Sequence, residues 1–279
     1  MSTTRRVFRN DEHQAAYERD GFVVLPCITT EEAAALSKRY DELPSVAQAG
    51  FFSGIFSENE GFKRDSHALL SGMATEFARK YLFDYRILVG NFVVKIPGEG
   101  SNMVCHQDWT FVDERKYASI NIWTALTDTN EANGAVYLLR GSHRLRHNLR
   151  GTDLHASLPN RGQIPFGDMV YMPVKAGYAI VHDHRVIHGG PPNRTPHRRL
   201  ASACCMIPAE ATPIHCCRNP GTGRVEVYEA DTEFFMKYTF GKKRIPEGTP
   251  FLRHDDEYRP CEFTPAEIDA CKERTAARA

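Results

Sequence analysis

Five short runs of β-prone residues between positions 118 and 207 limit the folds open to this chain more than any other feature. Gly, Pro, Asn and Asp separate them, and they read ASINIWTAL (118–126), AVYLLR (135–140), GDMVYMPV (167–174), GYAIVHD (177–183) and RRLASACCMI (198–207). Short strands at this spacing are typical of an all-β sandwich or barrel, whereas parallel βαβ folds need a helix between strands. No GxGxxG or P-loop pattern occurs, which counts against a nucleotide-binding fold.

The first 96 residues predict helices that accompany this β region. A helical pattern over 11–20 ends at Gly21, a capping box of Thr29 and Glu32 opens a second helix, and a third covers about 66–80. A strand is predicted over 21–26 and another from Tyr85 to Ile96, where Pro97-Gly98 ends it. We therefore predict a mainly β domain spanning 1–279, with N-terminal helices packed on a double-sheet core.

Composition excludes several functional classes. The 279 residues carry 35 Lys+Arg against 35 Asp+Glu, so the net charge of zero gives no attraction to nucleic acid or anionic lipid. No apolar run is long enough to span a membrane, and no apolar signal segment is seen near the start. The eight cysteines include two adjacent pairs and no CxxC, which predicts reduced thiols and a cytoplasmic protein. The sequon at Asn193 is interpreted as chance.

The stretch VCHQDWTF (104–111) contains the most informative pair of residues. On a strand, His106 and Asp108 would project from the same face, so one imidazole and one carboxylate could hold a divalent metal. The distant segment VHDHRVIHGG (181–190) offers three histidines as a further ligand. Two histidines and one carboxylate form the facial triad of non-haem Fe(II) oxygenases. An arginine-bearing strand follows, and a guanidinium there could bind the carboxylate of an anionic co-substrate.

The blocks KIPGEGSNMVCHQDWTF, NIWTALTDTNEANGAVYLLRGSHR and HGGPPNRTPHRRLA together resemble the phytanoyl-CoA dioxygenase family of Fe(II)/2-oxoglutarate-dependent oxygenases. The resemblance covers about 15–210 and leaves 211–279 as an extension that could form part of a substrate wall. It implies a double-stranded β-helix, a jelly roll of the cupin type, which agrees with the strand pattern. It also implies Fe(II) and 2-oxoglutarate as cofactors and O2 as co-substrate.

Carried over by motif, the resemblance implies that His106, Asp108 and His188 bind the iron, and His188 is favoured because Gly189 follows it. His182 and His184 are rivals by sequence alone. The family places an arginine about eleven residues after the distal histidine to bind 2-oxoglutarate, which indicates Arg199. Its neighbour Arg198 would point to the opposite face of the strand.

Four further residues are assigned to the site with weaker support from the pattern. Lys95, which precedes the HxD strand, matches a position near the co-substrate in the family. Asn121 and Trp123 share a strand face that can point into the barrel. We predict Lys95 and Asn121 as 2-oxoglutarate contacts and Phe52 and Trp123 as substrate contacts. Phe51 and Phe56 could join Phe52 in lining an apolar pocket. Gln107 and Trp109 would point away from the ligand pair if the strand were regular.

These features predict a dioxygenase that hydroxylates an unactivated C–H bond of a small molecule and releases succinate and CO2. Related halogenases have Gly or Ala where Asp108 stands, so halogenation is disfavoured, whereas desaturation, cyclisation and epoxidation stay open. An amino-acid derivative or a natural-product intermediate is favoured as substrate over an acyl-CoA, because no strongly basic cluster near the site could bind the CoA phosphates. The alternative from another class is a non-redox cupin-type isomerase or sensor, which would not need Arg199.

Overall fold

The computed structural model describes residues 5–44, 47, 49–145, 148–154, 158 and 164–277, and its secondary structure is mainly antiparallel β-strand. The strands are β1 (Phe22–Pro26), β2 (Phe51–Ser53), β3 (Tyr85–Lys95), β4 (Met103–His106), β5 (Ile120–Ala125), β6 (Val136–Leu138), β7 (Val170–Met172), β8 (Tyr178–Asp183), β9 (His188–Gly190), β10 (Arg199–Pro208), β11 (Ile214–Arg218), β12 (Val225–Glu229) and β13 (Phe251–His254). The helices are α1 (Asp11–Asp20), α2 (Thr30–Asp41), α3 (Glu60–Tyr81), α4 (Thr232–Lys237) and α5 (Pro265–Ala276).

Two antiparallel sheets form the core, as the strand pattern predicts. The larger sheet has six strands in the order β1-β8-β5-β10-β3-β2, and the smaller has four in the order β4-β9-β6-β7. Side chains from both sheets meet in one apolar cluster, in which Trp123 and Ala201 of the larger sheet accompany Val136 and Leu138 of the smaller. The space between the sheets therefore holds the inward-facing residues of both.

Alternation along the strands of the larger sheet separates its two faces. On β10, Ala201 and Ala203 face the smaller sheet, whereas Leu200 and Met206 join the apolar core beneath the helices. Leu70 of α3 belongs to that same outer core. Because successive side chains of a strand point to opposite faces, each strand serves both the interior and the helical layer. The prediction that N-terminal helices pack on the major sheet is confirmed.

The helix ends follow the caps in the sequence. The capping box of Thr29 and Glu32 is formed, and α1 ends at Gly21, whose φ of 87° is a conformation that favours glycine. Helix α3 begins at Glu60, six residues before the predicted start, because the Asn59 side chain accepts a hydrogen bond from the backbone N–H of Phe62. That cap is visible in the sequence and was missed.

The segment after β10 contains structure that the pattern did not indicate. Strands β11, β12 and β13 form a separate three-stranded sheet. The short helix α4 buries Phe234 and Phe235 against Val89 of β3 and Phe111. The C-terminal segment therefore packs on the β core beside the loop that follows β4.

The described residues contain no helix long and apolar enough to cross a membrane. All eight cysteines lie in the described part of the chain and are free thiols, as predicted. The sequon residue Asn193 is fully buried, and its amide donates to the carbonyl oxygens of Lys95 and His197 at 3.0 and 2.7 Å. This structural use of its side chain agrees with the interpretation of the sequon as chance.

Candidate metal centre

Two histidines lie side by side on neighbouring strands of the smaller sheet. His106 ends β4, His188 begins β9, and the two are direct register partners with ring centres 4.3 Å apart. Gly189 allows this close pairing, because a Cβ there would lie 3.0 Å from the carbonyl oxygen of Met103 and 3.2 Å from the Cα of Cys105. The HGG sequence is thus explained by the tight approach of the two strands.

Both imidazoles are held in the same way. The Nδ1 atom of His106 lies 2.9 Å from the carbonyl oxygen of Val104, and the Nδ1 atom of His188 lies 3.0 Å from that of Val186. A carbonyl oxygen can only accept, so Nδ1 carries the proton in each ring and Nε2 keeps a free lone pair. This tautomer, fixed through the second ring nitrogen, is the one in which a histidine binds a metal through Nε2.

Asp108 completes the cluster from the loop after β4. Its Oδ1 lies 3.6 Å from Nε2 of His106 and 3.8 Å from Nε2 of His188, while Oδ2 is buried with no hydrogen-bond partner among the described residues. Burial opposes ionisation, but the neighbouring His188 and His106 hold the pKa of the Asp108 carboxyl well below its usual value. The strand-face argument for this pair is wrong, because β4 ends at His106. The backbone N–H of Asp108 instead donates to the carbonyl oxygen of His184 at 3.0 Å.

The three side chains offer one donor atom each within 4.8 Å of one another, and no other such group occurs among the described residues. A facial triad needs two imidazole nitrogens and one carboxylate oxygen aimed at a common point. The free Nε2 atoms and the unpartnered Oδ2 fit that requirement. The rivals His182 and His184 lie outside this cluster, and Nδ1 of His184 lies 2.9 Å from Oγ of Ser119.

Arg199 is an interior residue and Arg198 is not. Arg199 is 1% exposed, its guanidinium lies 5.0 Å from the centre of the Trp123 ring, and its Nε has no partner among the described residues. Burial lowers the pKa of Arg199 to about 9. Arg198 points outward and pairs with Asp41 at 2.8 Å. A buried, incompletely bonded guanidinium is suited to an anionic ligand.

Lys95 is the register partner of Arg199 on β3 and is also fully buried. Its Nζ donates to the carbonyl oxygens of Gly190, at 2.7 Å, and Pro191. Burial, together with the charge of Arg199, lowers the pKa of Lys95 to about 6. Lys95 is therefore hydrogen-bonded to the segment that follows His188. It also lies beside the predicted co-substrate arginine.

A cavity of about 170 Å³ lies between the sheets and includes the three candidate ligands. Asn121 and Trp123 both line it, and Oδ1 of Asn121 is buried without a partner in the described structure. Phe52 requires a correction: it packs on Phe62, with ring centres 5.7 Å apart, in the core beneath the helices. The alternation of β2 places Phe51 on the cavity wall instead.

Sequence reasoning excluded two residues that line the cavity, Gln107 and Trp109. They were excluded on the assumption of a regular strand, but the chain leaves β4 at His106 and both line the cavity. Trp109 stacks on Phe240 with ring centres 4.7 Å apart, so the extension after β10 supports the wall from behind. The sequence signal for the end of β4 is weak, because Asp108 disfavours a strand but Trp109, Thr110 and Phe111 after it favour one.

Comparison with known proteins gives a family for this arrangement. The sequence profile described as phytanoyl-CoA dioxygenase matches residues 17–201, a range that contains all three candidate ligands and Arg199. Phytanoyl-CoA dioxygenase 1 of Oryza sativa subsp. japonica is 29% identical over 128 residues, which are 44% of this chain and 45% of that protein. A probable alpha-ketoglutarate-dependent hypophosphite dioxygenase of Stutzerimonas stutzeri is 29% identical over 134 residues, 45% and 46% of the two chains. The matches thus span about half of each relative.

A solved structure confirms the fold predicted from the resemblance. The epimerase SnoN, solved with Fe3+, alpha-ketoglutarate and nogalamycin RO, superimposes with a TM-score of 0.52 at 21% identity. The superposition covers 73% of this chain and 85% of that one. The two facing sheets are therefore a double-stranded β-helix of the cupin type.

Proposed function

The chain belongs to the phytanoyl-CoA dioxygenase family, and on this basis we propose that it is an Fe(II)- and 2-oxoglutarate-dependent dioxygenase that hydroxylates a C–H bond of a small molecule. The observation that carries the proposal is the His106, Asp108 and His188 cluster, with its two free Nε2 atoms and its unpartnered carboxylate oxygen. Bound Fe(II) would couple decarboxylation of 2-oxoglutarate by O2 to oxidation of the substrate, giving succinate, CO2 and the hydroxylated product.

The protein's own residues prepare the site for that chemistry. The backbone carbonyls of Val104 and Val186 fix the two imidazoles, so little reorganisation is needed when the metal binds. Arg199 would neutralise the far carboxylate of 2-oxoglutarate, which explains a buried guanidinium whose Nε has no partner among the described residues. Asn121 and Trp123 lie on the same interior face and would contact the co-substrate and the substrate respectively.

The alternative of a non-redox cupin metal protein is less well supported. Such proteins usually hold the metal with three histidines and a carboxylate and have no need of a buried arginine near the site. Here His182 and His184 lie outside the three-residue cluster, and Arg199 is enclosed beside Trp123. The combination favours an enzyme that binds an anionic co-substrate.

The proposed substrate class is supported by the cavity and not by the names of the relatives. One relative is named for phytanoyl-CoA and another for hypophosphite, so the family accepts chemically different substrates. No lysine or arginine lines the cavity among the described residues, which favours a free amino-acid derivative or natural-product intermediate over an acyl-CoA.

Anaerobic absorption spectroscopy of the purified protein tests the proposal. Addition of Fe(II) and 2-oxoglutarate together, but neither alone, should produce a weak visible charge-transfer band that reports chelation of the metal by the co-substrate. The His106→Ala, His188→Ala double variant is the matched control and should give no band, because it lacks both imidazole ligands. If the wild-type protein gives no band and binds Zn(II) or Ni(II) in preference, the non-redox cupin is the better interpretation.

A further inference from the structure

We propose that the substrate of this cavity is an uncharged and largely apolar molecule, such as a neutral ring system with one hydroxyl group. The proposal rests on the function proposed above and narrows it, because a zwitterionic amino acid and an ionised acid are both excluded. It is carried by the chemistry of the cavity wall beyond the metal ligands.

The part of the wall contributed by β2, β3 and the loop after β4 is aromatic and aliphatic. Its apolar side chains are Phe51, Ile55, Phe56, Val89, Trp109 and Phe111. Phe56 is 49% exposed and packs edge-on against Phe240, with ring centres 4.6 Å apart. An exposed aromatic ring at the edge of an apolar cavity is the arrangement expected where a hydrophobic ligand enters.

The wall provides no counter-charge for a substrate. Among the described lining residues, the only Asp, Glu, Lys or Arg is Asp108, which is a candidate metal ligand. Lys95 and Arg199 are buried nearby but do not line the cavity. Arg199 is moreover the predicted partner of the 2-oxoglutarate carboxylate. A second anion or a cation would therefore enter without an ion-pair partner.

Three neutral polar side chains of the wall, Ser53, Asn91 and Gln107, have hydrogen-bond partners, whereas Oδ1 of Asn121 has none among the described residues and is assigned to 2-oxoglutarate. Oγ of Ser53 donates to Oδ1 of Asn91 at 2.9 Å, and the Asn91 amide donates to the carbonyl oxygen of Ala203 at 3.3 Å. The Gln107 amide donates to the carbonyl oxygen of Arg185 at 2.5 Å. These groups can share a hydrogen bond with a hydroxyl, but they cannot solvate a full charge as water does.

The two tryptophans of the chain allow the predicted preference for an uncharged ligand to be tested without catalytic turnover. Trp109 and Trp123 are the only tryptophans in the sequence, and both line the cavity. Their fluorescence should therefore change when a ligand fills it. The protein would be loaded with Ni(II) and 2-oxoglutarate, so that no oxidation occurs, and titrated with 4-tert-butylbenzyl alcohol, 4-tert-butylbenzoate and 4-tert-butylbenzylamine. The three probes share one apolar body and differ in charge.

The alcohol should bind and change the fluorescence, and the benzoate and the amine should bind at least about tenfold more weakly, because each would lose its hydration without gaining a counter-charge. Trp109→Phe should remove part of the signal and leave the part that Trp123 contributes, since both tryptophans line the cavity. Equal or tighter binding of a charged probe, or no binding of the alcohol, would overturn the proposal.

A charge placed on the wall gives an independent test. Asn91→Asp should strengthen binding of the amine by about tenfold relative to the alcohol, because it supplies the missing counter-charge. If near-ultraviolet circular dichroism shows that this variant is unfolded, Ser53→Asp provides the same comparison at the neighbouring position. An unchanged ratio of the amine affinity to the alcohol affinity in a folded variant would contradict the proposal.

The iron charge-transfer band distinguishes a failure of the substrate proposal from a failure of the oxygenase proposal. If the band forms with Fe(II) and 2-oxoglutarate but a charged probe binds best, the substrate class is wrong and the oxygenase proposal stands. If the band does not form, the oxygenase proposal itself fails, whatever the probes do.

Discussion

At the scale of single residues, adjacent positions on one strand have opposite roles. Arg198 lies at the surface with Asp41 as its partner, whereas Arg199 is enclosed beside Trp123 with its Nε unpaired. The difference follows from the two-residue period of a strand. It makes the assignment of the co-substrate arginine sensitive to a shift of one residue in register.

Arg199→Ala should raise the KM for 2-oxoglutarate by about 30-fold or more, because truncating one partner of a buried charge pair typically costs 2–5 kcal/mol. Arg198→Ala is the matched control and should leave that KM essentially unchanged, since Arg198 points outward and pairs with Asp41. Succinate release at varied 2-oxoglutarate concentrations measures both. The reverse result would mean that Arg198, not Arg199, faces the co-substrate.

At the scale of elements, the loop after β4 is held by the segment around Arg150. The Arg150 guanidinium donates to the carbonyl oxygen of Asp108 at 2.5 Å and forms a buried pair with Glu114. The backbone N–H of Thr110 also donates to the carbonyl oxygen of Arg150 at 3.1 Å. Asp108 is therefore positioned by a neighbouring segment and not by the strand that carries His106.

Glu114→Gln should lower the free energy of unfolding by about 3 kcal/mol, because it leaves the buried Arg150 charge without its carboxylate. Asp256→Asn removes the partner of Arg224 at an exposed position and should cost no more than about 1 kcal/mol. Urea denaturation of the three proteins measures the difference. Equal losses of unfolding free energy in the two variants would show that burial does not increase the contribution of the Arg150 pair to stability.

The extension after β10 contributes to the core through α4. A chain ending at residue 210 should lose cooperative unfolding, because Val89 and Phe111 would lose their contacts with Phe234 and Phe235. This tests the prediction of one domain over 1–279. Thermal denaturation followed by circular dichroism is the measurement, and a truncated chain that melts as sharply as the full one would instead indicate that 211–279 is a separate unit.

At the scale of the whole molecule, buried neutral histidines couple stability to pH. Burial lowers the pKa of His143 to about 4 and that of His215 to about 3, whereas an unfolded histidine titrates near 6.5. Between roughly pH 6.5 and 4 the unfolded chain binds protons that the folded chain does not. Stability is therefore fully present above this window and is lost as the pH falls through it.

The free energy of unfolding should decrease between pH 7 and pH 5, and each such histidine should contribute up to about 1.4 kcal/mol per pH unit within its window. His215→Gln should reduce the slope, because the buried position would no longer titrate. Urea denaturation at several pH values measures it, and a wild-type slope of zero would contradict the argument.

The sequence by itself determined the elements whose causes are local. The cap of α2 at Thr29, the end of α1 at Gly21 and the alternation that separates Arg198 from Arg199 are all set by neighbouring residues. The resemblance to the family also identified, motif by motif, the three side chains that the structure brings together. Such features are readable because their energies depend on residues a few positions apart.

Only the tertiary structure decided how those side chains meet. It ended β4 at His106, brought Asp108 in from a loop bound to His184, placed Trp109 on the cavity wall and turned Phe52 away from it. These positions depend on contacts between different elements. The partner of Asp108 is His184 and that of Trp109 is Phe240, both far away in the chain, whereas the partner of Phe52 is Phe62 on the following helix. The periodicity of a sequence does not predict such contacts, because their energy arises only when separate segments pack together.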